Sequence, residues 1–167
     1  IEFNPNQVSE YRLIGYENRH LNNEDFANDK VDAGEIGAGH TVTAIYELTL
    51  QGKPGWLSDS RYQRPSNIQD NNGELAFLKI RYKKPDEDVS QLLQWPIMKN
   101  QIKPIERASG EFKFAASVAA FGQMLRDGTY LKSFGYDDIM ALANESKGQD
   151  TFGYRGELLQ LVSLAKG

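Results

Sequence analysis

The sequence contains no cysteine and only two histidines, His20 and His40, in 167 residues. The first absence removes disulfides, thiolate metal sites and thiol nucleophiles together. It leaves the redox compartment open, because a cysteine-free chain is at home in either environment. No apolar run approaches the roughly 20 residues that span a bilayer. The sequence as given opens on no basic-then-apolar leader, so no targeting signal is expected within it. A basic stripe is also missing: 19 lysines and arginines stand against 23 aspartates and glutamates, a net charge of −4 with the two signs interspersed. A nucleic-acid surface needs basic residues gathered on one face, so nucleic acid is not an expected partner. There is no internal repeat and no low-complexity tract.

What is present suits a globular domain, with 40% hydrophobic and 25% charged residues. The length allows one substantial core or two small ones. Ile1-Glu2-Phe3-Asn4-Pro5 reads as the end of a strand stopped by proline. Without a methionine it is expected to continue a longer polypeptide. Tyr11 to Tyr16 reads as a strand covered on both faces. Residues 22–39 follow as an acidic, glycine-punctuated loop, long by usual standards. Thr41 to Leu50 is the clearest strand, with Val42, Ala44, Tyr46, Leu48 and Leu50 on one face. Residues 51–73 form a polar, irregular connection that Trp56, Leu57 and Tyr62 pin to the body. Glu74 to Lys83 and Val89 to Met98 make a hairpin around Pro85, which presets a turn φ. Ala76, Leu78, Ile80 and Tyr82 mark its inward face, matched by Leu93, Trp95 and Ile97.

The period then changes. Ser109 is an expected N-cap, with Glu111 favoured by the helix dipole in the first turn. Phe112 to Leu125 is apolar nearly all round, the pattern of a buried helix. Asp127-Gly128 stops it. A second helix is expected over Tyr136 to Ser146, with Ile139, Leu142 and Ala143 inward. A third follows Asp150 as N-cap, with Tyr154, Leu158, Leu161, Val162 and Ala165 on one side. Strands first and helices after predict an α+β chain. An antiparallel sheet or small β-sandwich over residues 1–100 is followed by a three-helix segment over residues 101–167. The helical segment is expected to pack on the sheet as one unit, with residues 100–107 as the joint.

Several runs resemble a known family: Ile1-Glu2-Phe3-Asn4-Pro5, YRLIGYENR at 11–19, DAGEIGAGH at 32–40, VTAIYEL at 42–48, LKIRYKKPD at 78–86, FKFAASVAAFGQMLRD at 112–127 and GYRGELLQLV at 153–162. They are similar to the region of unknown function that follows the von Willebrand factor type A domain in bacterial proteins of the YfbK type. The resemblance covers essentially the whole chain. It implies a cell-envelope protein, periplasmic or anchored to a membrane through its parent, with no established enzymatic activity. It implies a protein partner, either the parent's own type A domain or another envelope protein. A type A metal site uses an Asp-x-Ser-x-Ser cluster. The nearest run here, Ser58-Asp59-Ser60-Arg61-Tyr62, carries arginine where a serine should stand, so that metal site is not expected in this region.

Candidate chemistry concentrates in the acidic loop. Asp25, Asp29, Asp32 and Glu35 offer hard oxygen ligands for Ca²⁺, but their spacing is not that of an EF-hand loop. The competing reading is a solvated loop whose carboxylates cap turns and pair with Arg12, Arg19 and Lys30. Gly34, Gly37 and Gly39 stand before a strand rather than a helix, so they suggest positive φ or close approach rather than a phosphate cradle. His20 and His40 flank the loop, and either can be written as a general base. No Gly-x-Ser-x-Gly elbow supplies a nucleophile, and a histidine bonded to nearby backbone is the simpler reading. Glu17 and Arg19 read as an ion pair at the loop base. Trp56 and Tyr62, aromatics in a polar loop, are candidates for contact with a partner or glycan.

These observations lead to a non-catalytic accessory or interaction module, with no cofactor expected. The alternative is a metal-dependent hydrolase or cation site built from His40 and the carboxylates of residues 24–35.

Overall fold

Two long β-strands joined across Pro85 give the chain its most regular element. A computed structural model describes residues 1–15, 23–31, 34–57 and 73–167. The hairpin strands are β4 (Glu74–Tyr82) and β5 (Gln91–Met98). Their antiparallel register sets Leu78 opposite Trp95, Ile80 opposite Leu93 and Ala76 opposite Ile97. Directly opposed residues share a face, so the two apolar rows expected from the sequence do meet. Asp86, at the turn, holds a positive φ of 63°. Pro96 sits in β5, an edge strand, where a missing N–H is tolerated. The short strand β1 (Glu2–Phe3) completes a three-stranded sheet in the order β1-β4-β5.

A second, two-stranded antiparallel sheet pairs β2 (Val8–Ile14) with β3 (Ile45–Leu50). Phe3 joins the sheets: its ring stacks on Tyr11 with centroids 4.3 Å apart and meets Tyr46 edge-on at 5.4 Å. Val8, Leu75 and Ala76 are the buried apolar residues here.

Two expectations need correction. Thr41 to Ala44 do not join β3, and Val42 is 80% exposed. The described ladder ends at the Ile14–Ile45 pair, and Gly15 beyond it holds a positive φ of 112°. The inward face assigned to the hairpin is also only partly covered. Ala76 is buried, whereas Ile80, Tyr82, Leu93 and Trp95 are exposed.

The chain divides into two compact units, Ile1–Ile102 and Lys103–Gly167. The second unit holds α1 (Gly110–Met124), α2 (Tyr136–Ser146) and α3 (Tyr154–Lys166). Ser109 caps α1, its hydroxyl accepting the Phe112 N–H at 3.2 Å. Asp138 caps α2 by accepting the Gly135 N–H at 2.8 Å. Ala120, Phe121, Ile139 and Val162 form the core, with Met124, Leu131, Phe134, Met140 and Leu158 packed against it.

The expectation that α1 is buried all round does not hold. Its buried residues are Lys113, Ser117, Ala120 and Phe121, one stripe at helical spacing. Phe112, Val118 and Leu125 are exposed. Alanine-rich composition hid this from the periodicity, because small apolar residues mark no face. On α3, likewise, Val162 is buried while Tyr154 and Leu161 are exposed. Among the described residues the architecture is α+β: two antiparallel sheets followed by three helices.

Candidate functional site

The polar face of the two-stranded sheet is the most organised cluster in the first unit. Strand alternation puts Glu10 and Arg12 on the same face of β2, opposite Thr49 and Glu47 of β3. The Glu10 carboxylate accepts the backbone N–H of Trp56 at 2.8 Å and of Leu57 at 3.0 Å. It also accepts the Thr49 hydroxyl at 3.2 Å. A Cβ at Gly55 would stand 2.3 Å from both carboxylate oxygens, so the turn approaches this closely only because residue 55 is glycine. Thr49 is buried beneath it. Arg12 pairs with Glu47, and its guanidinium lies 5.8 Å from the centre of the Trp56 ring. The N–H of Trp56, then that of Leu57 and the Thr49 hydroxyl, hold the Glu10 carboxyl below its ordinary range. Trp56 is thus half-buried and tied by both backbone and ring.

A second cluster uses the acidic loop. Asp29 accepts from Arg81 Nη2 at 3.2 Å and from the Ser90 N–H at 3.4 Å. Arg81 in turn reaches the Ser90 hydroxyl, and Lys83 reaches the Asp29 carbonyl. Hydrogen bonds from Ser90, then the Arg81 guanidinium, hold the Asp29 carboxyl below its ordinary range. Asp29 therefore staples the loop to the end of the β4–β5 hairpin.

The remaining loop candidates go elsewhere. Asp25 ends a single 3₁₀ turn, Asn23–Asp25, and its carbonyl accepts the Asn28 N–H at 3.0 Å. Glu35 lies in an exposed stretch without regular structure. His40 closes a tight turn, donating its N–H to the Gly37 carbonyl at 3.1 Å. A Cβ on Gly37 would come 2.9 Å from the imidazole Nδ1, and Gly39 holds φ 78°, so two of the three loop glycines meet the needs inferred for them. Among the described residues, no three His, Cys, Asp or Glu side chains are grouped so as to hold a metal ion. Asp32, Tyr62, His20, Glu17 and Arg19 lie outside the described residues.

In the helical unit, Arg155 is the residue that sequence reading passed over. Its Nη1 donates to the carbonyls of Lys147 at 3.1 Å and Ser146 at 3.4 Å, at the end of α2. Its Nη2 donates to Glu111 of α1 at 2.6 Å, and its guanidinium lies 4.6 Å from the centre of the Phe114 ring. Asp150 caps α3 from outside, accepting the N–H of Arg155 at 3.1 Å and of Gly156 at 2.7 Å. Burial opposes ionisation of Asp150, but those two N–H groups and the charges of Lys147 and Arg155 outweigh it and lower its pKa. The available signal was the position of an arginine in the first turn of a helix, where its own dipole does not favour it.

A family model described as "Uncharacterized protein YfbK, C-terminal" matches residues 1–167, every residue of the chain. The chain belongs to the YfbK C-terminal family. The Uncharacterized protein YfbK of Escherichia coli (strain K12) is 44% identical over 169 residues. That alignment takes in all of this chain and 29% of the relative, at the relative's C-terminal end. No solved structure matches. Membership of the YfbK C-terminal family agrees with the resemblance drawn from the residues.

Proposed function

We propose that this YfbK C-terminal region is a non-catalytic interaction module, carried behind a von Willebrand factor type A domain in a bacterial envelope protein. It positions or regulates that domain by binding it. The observation that carries this reading is the use made of one of the candidate ligands, Asp29. The Asp29 carboxylate is engaged by Arg81 and Ser90 from another part of the fold. Trp56, the described partner-contact candidate, is half-buried beside Arg12. Envelope location belongs to the same proposal and rests on the family resemblance; among the described residues no helix is long and apolar enough to cross a membrane.

The test is calorimetric titration of residues 1–167 with the type A domain of the same parent. Saturable binding that Trp56→Ala weakens at least tenfold is expected. Absence of binding, with both proteins folded, overturns the reading.

A further inference from the structure

The three-stranded sheet has one edge that stops early. β5 pairs with β4 along its whole length, from Glu74 to Tyr82. On the other side β1 contributes two pairs, Phe3 with Ala76 and Glu2 with Phe77. The Asn4 N–H donates to the Leu75 carbonyl at 2.8 Å. That bond shows which β4 residues aim their backbone groups toward β1: Leu75, Phe77, Lys79 and Arg81, by strand alternation. Past Phe77, no described residue pairs with this side of β4.

An open edge is a template for another strand, and proteins commonly blunt such edges with charged side chains. Here the charges are engaged with neighbours. Lys79 is drawn to Glu2 at 2.7 Å and Arg81 to Asp29 at 3.2 Å. On the opposite face Ile80 and Tyr82 stand 43% and 36% exposed, beside Leu93. Among the described residues the edge is therefore unpaired along the backbone past Phe77, and it carries exposed apolar side chains on one face.

We propose that, where this region is carried in a longer chain as in the E. coli relative, the residues immediately ahead of Ile1 extend β1 along β4. The occupant follows from two observations. The β1–β4 ladder already sets direction and register, and the relative has polypeptide ahead of the matched region. Continuing the register puts the first preceding residue opposite Lys79, the second opposite Ile80, the third opposite Arg81 and the fourth opposite Tyr82. The first and third exchange backbone hydrogen bonds with β4. The second and fourth cover Ile80 and Tyr82, and are apolar. The sheet thereby ties this region rigidly to whatever precedes it, a statement independent of the interaction reading above.

The test uses the full-length parent. A cysteine at the second position ahead of Ile1 is combined with Ile80→Cys, a non-hydrogen-bonded pair with Cα atoms about 4.5 Å apart. That lies inside the disulfide range of about 4.4–6.8 Å. The pair is expected to oxidise to completion, whereas the same cysteine with Arg81→Cys, one residue out of register and on the other face, stays reduced. A readout that needs no substitution is amide exchange in the parent, where Lys79 and Arg81 are expected to exchange as slowly as Ile80. Equal crosslinking of the two pairs overturns the proposal. So does rapid exchange at Lys79 and Arg81, which decides the matter alone if the cysteine variants fail to fold.

Discussion

Glu10 takes hydrogen bonds from the backbone N–H groups of Trp56 and Leu57, residues 46 and 47 positions further along the chain. Such a carboxylate is worth more to the fold ionised than protonated, because all three of its donors favour the charged form. The sign follows from the lowered pKa values of Glu10 and Asp29. In the unfolded chain both return to the ordinary carboxylate range. Each therefore contributes stability that is present above its unfolded pKa and lost as pH falls through its folded pKa. Thermal melts are expected to show a midpoint that drops on acidification through that range, and Glu10→Gln should lower the neutral-pH midpoint and flatten the acid limb. Gly55 gives a sharper check. Gly55→Ala forces the Glu10 carboxylate away from the turn, so it and Glu10→Ala should each lower the midpoint. The double variant should be no worse than the poorer single one, since the two remove the same contact. Additive losses would mean that the turn is held by something else. The cradle itself was not legible in the sequence, which showed a glycine in a polar loop and a glutamate just ahead of the strand expected from Tyr11, with nothing to connect them; β2 in fact begins at Val8.

At the scale of elements, the hairpin and α2 were readable because their signals are local. Pro85 fixes a turn, Asp137 and Asp138 favour a helix start, and the apolar spacing changes period between them. The beginning of β3 was not readable, because a strand's extent is set by its partner, and the described ladder stops at Ile14–Ile45. The exposed flank of α1 was equally hidden, since its apolar residues outnumber what two neighbouring helices cover. Ile139, fully buried at the centre of the helical core, measures how firmly those helices pack. Ile139→Ala should cost about 2–5 kcal/mol in denaturant unfolding, the usual range for such a cavity. Arg155 ties the end of α2 to α1 and α3, and hydrogen bonds to a charged group are worth about 1.5–3 kcal/mol. Arg155→Ala should cost about that much in the same measurement. Arg155→Lys should recover little, because an ammonium cannot reproduce the planar fork or stack on Phe114. Glu111→Gln should change stability by less than about 1 kcal/mol, its side chain being 80% exposed.

For the whole molecule, strands-then-helices was enough to give the α+β class, and a handful of short runs was enough to point to the family. The division of labour among its polar residues took coordinates to see. Asp29 looked like a ligand in the sequence because acids gather around it, yet its partners Arg81 and Ser90 lie more than 50 residues away. In the proposed function such residues keep the fold in shape and the region acts through being bound. Thermal melting of residues 1–167 with Ca²⁺, Mg²⁺ or Zn²⁺ in excess tests this most directly, because a ligand that prefers the folded state raises the midpoint. The account predicts the same midpoint with and without each cation, and a lower one for Asp29→Asn under every condition. A cation-dependent rise of several degrees that Asp29→Asn abolishes would contradict it.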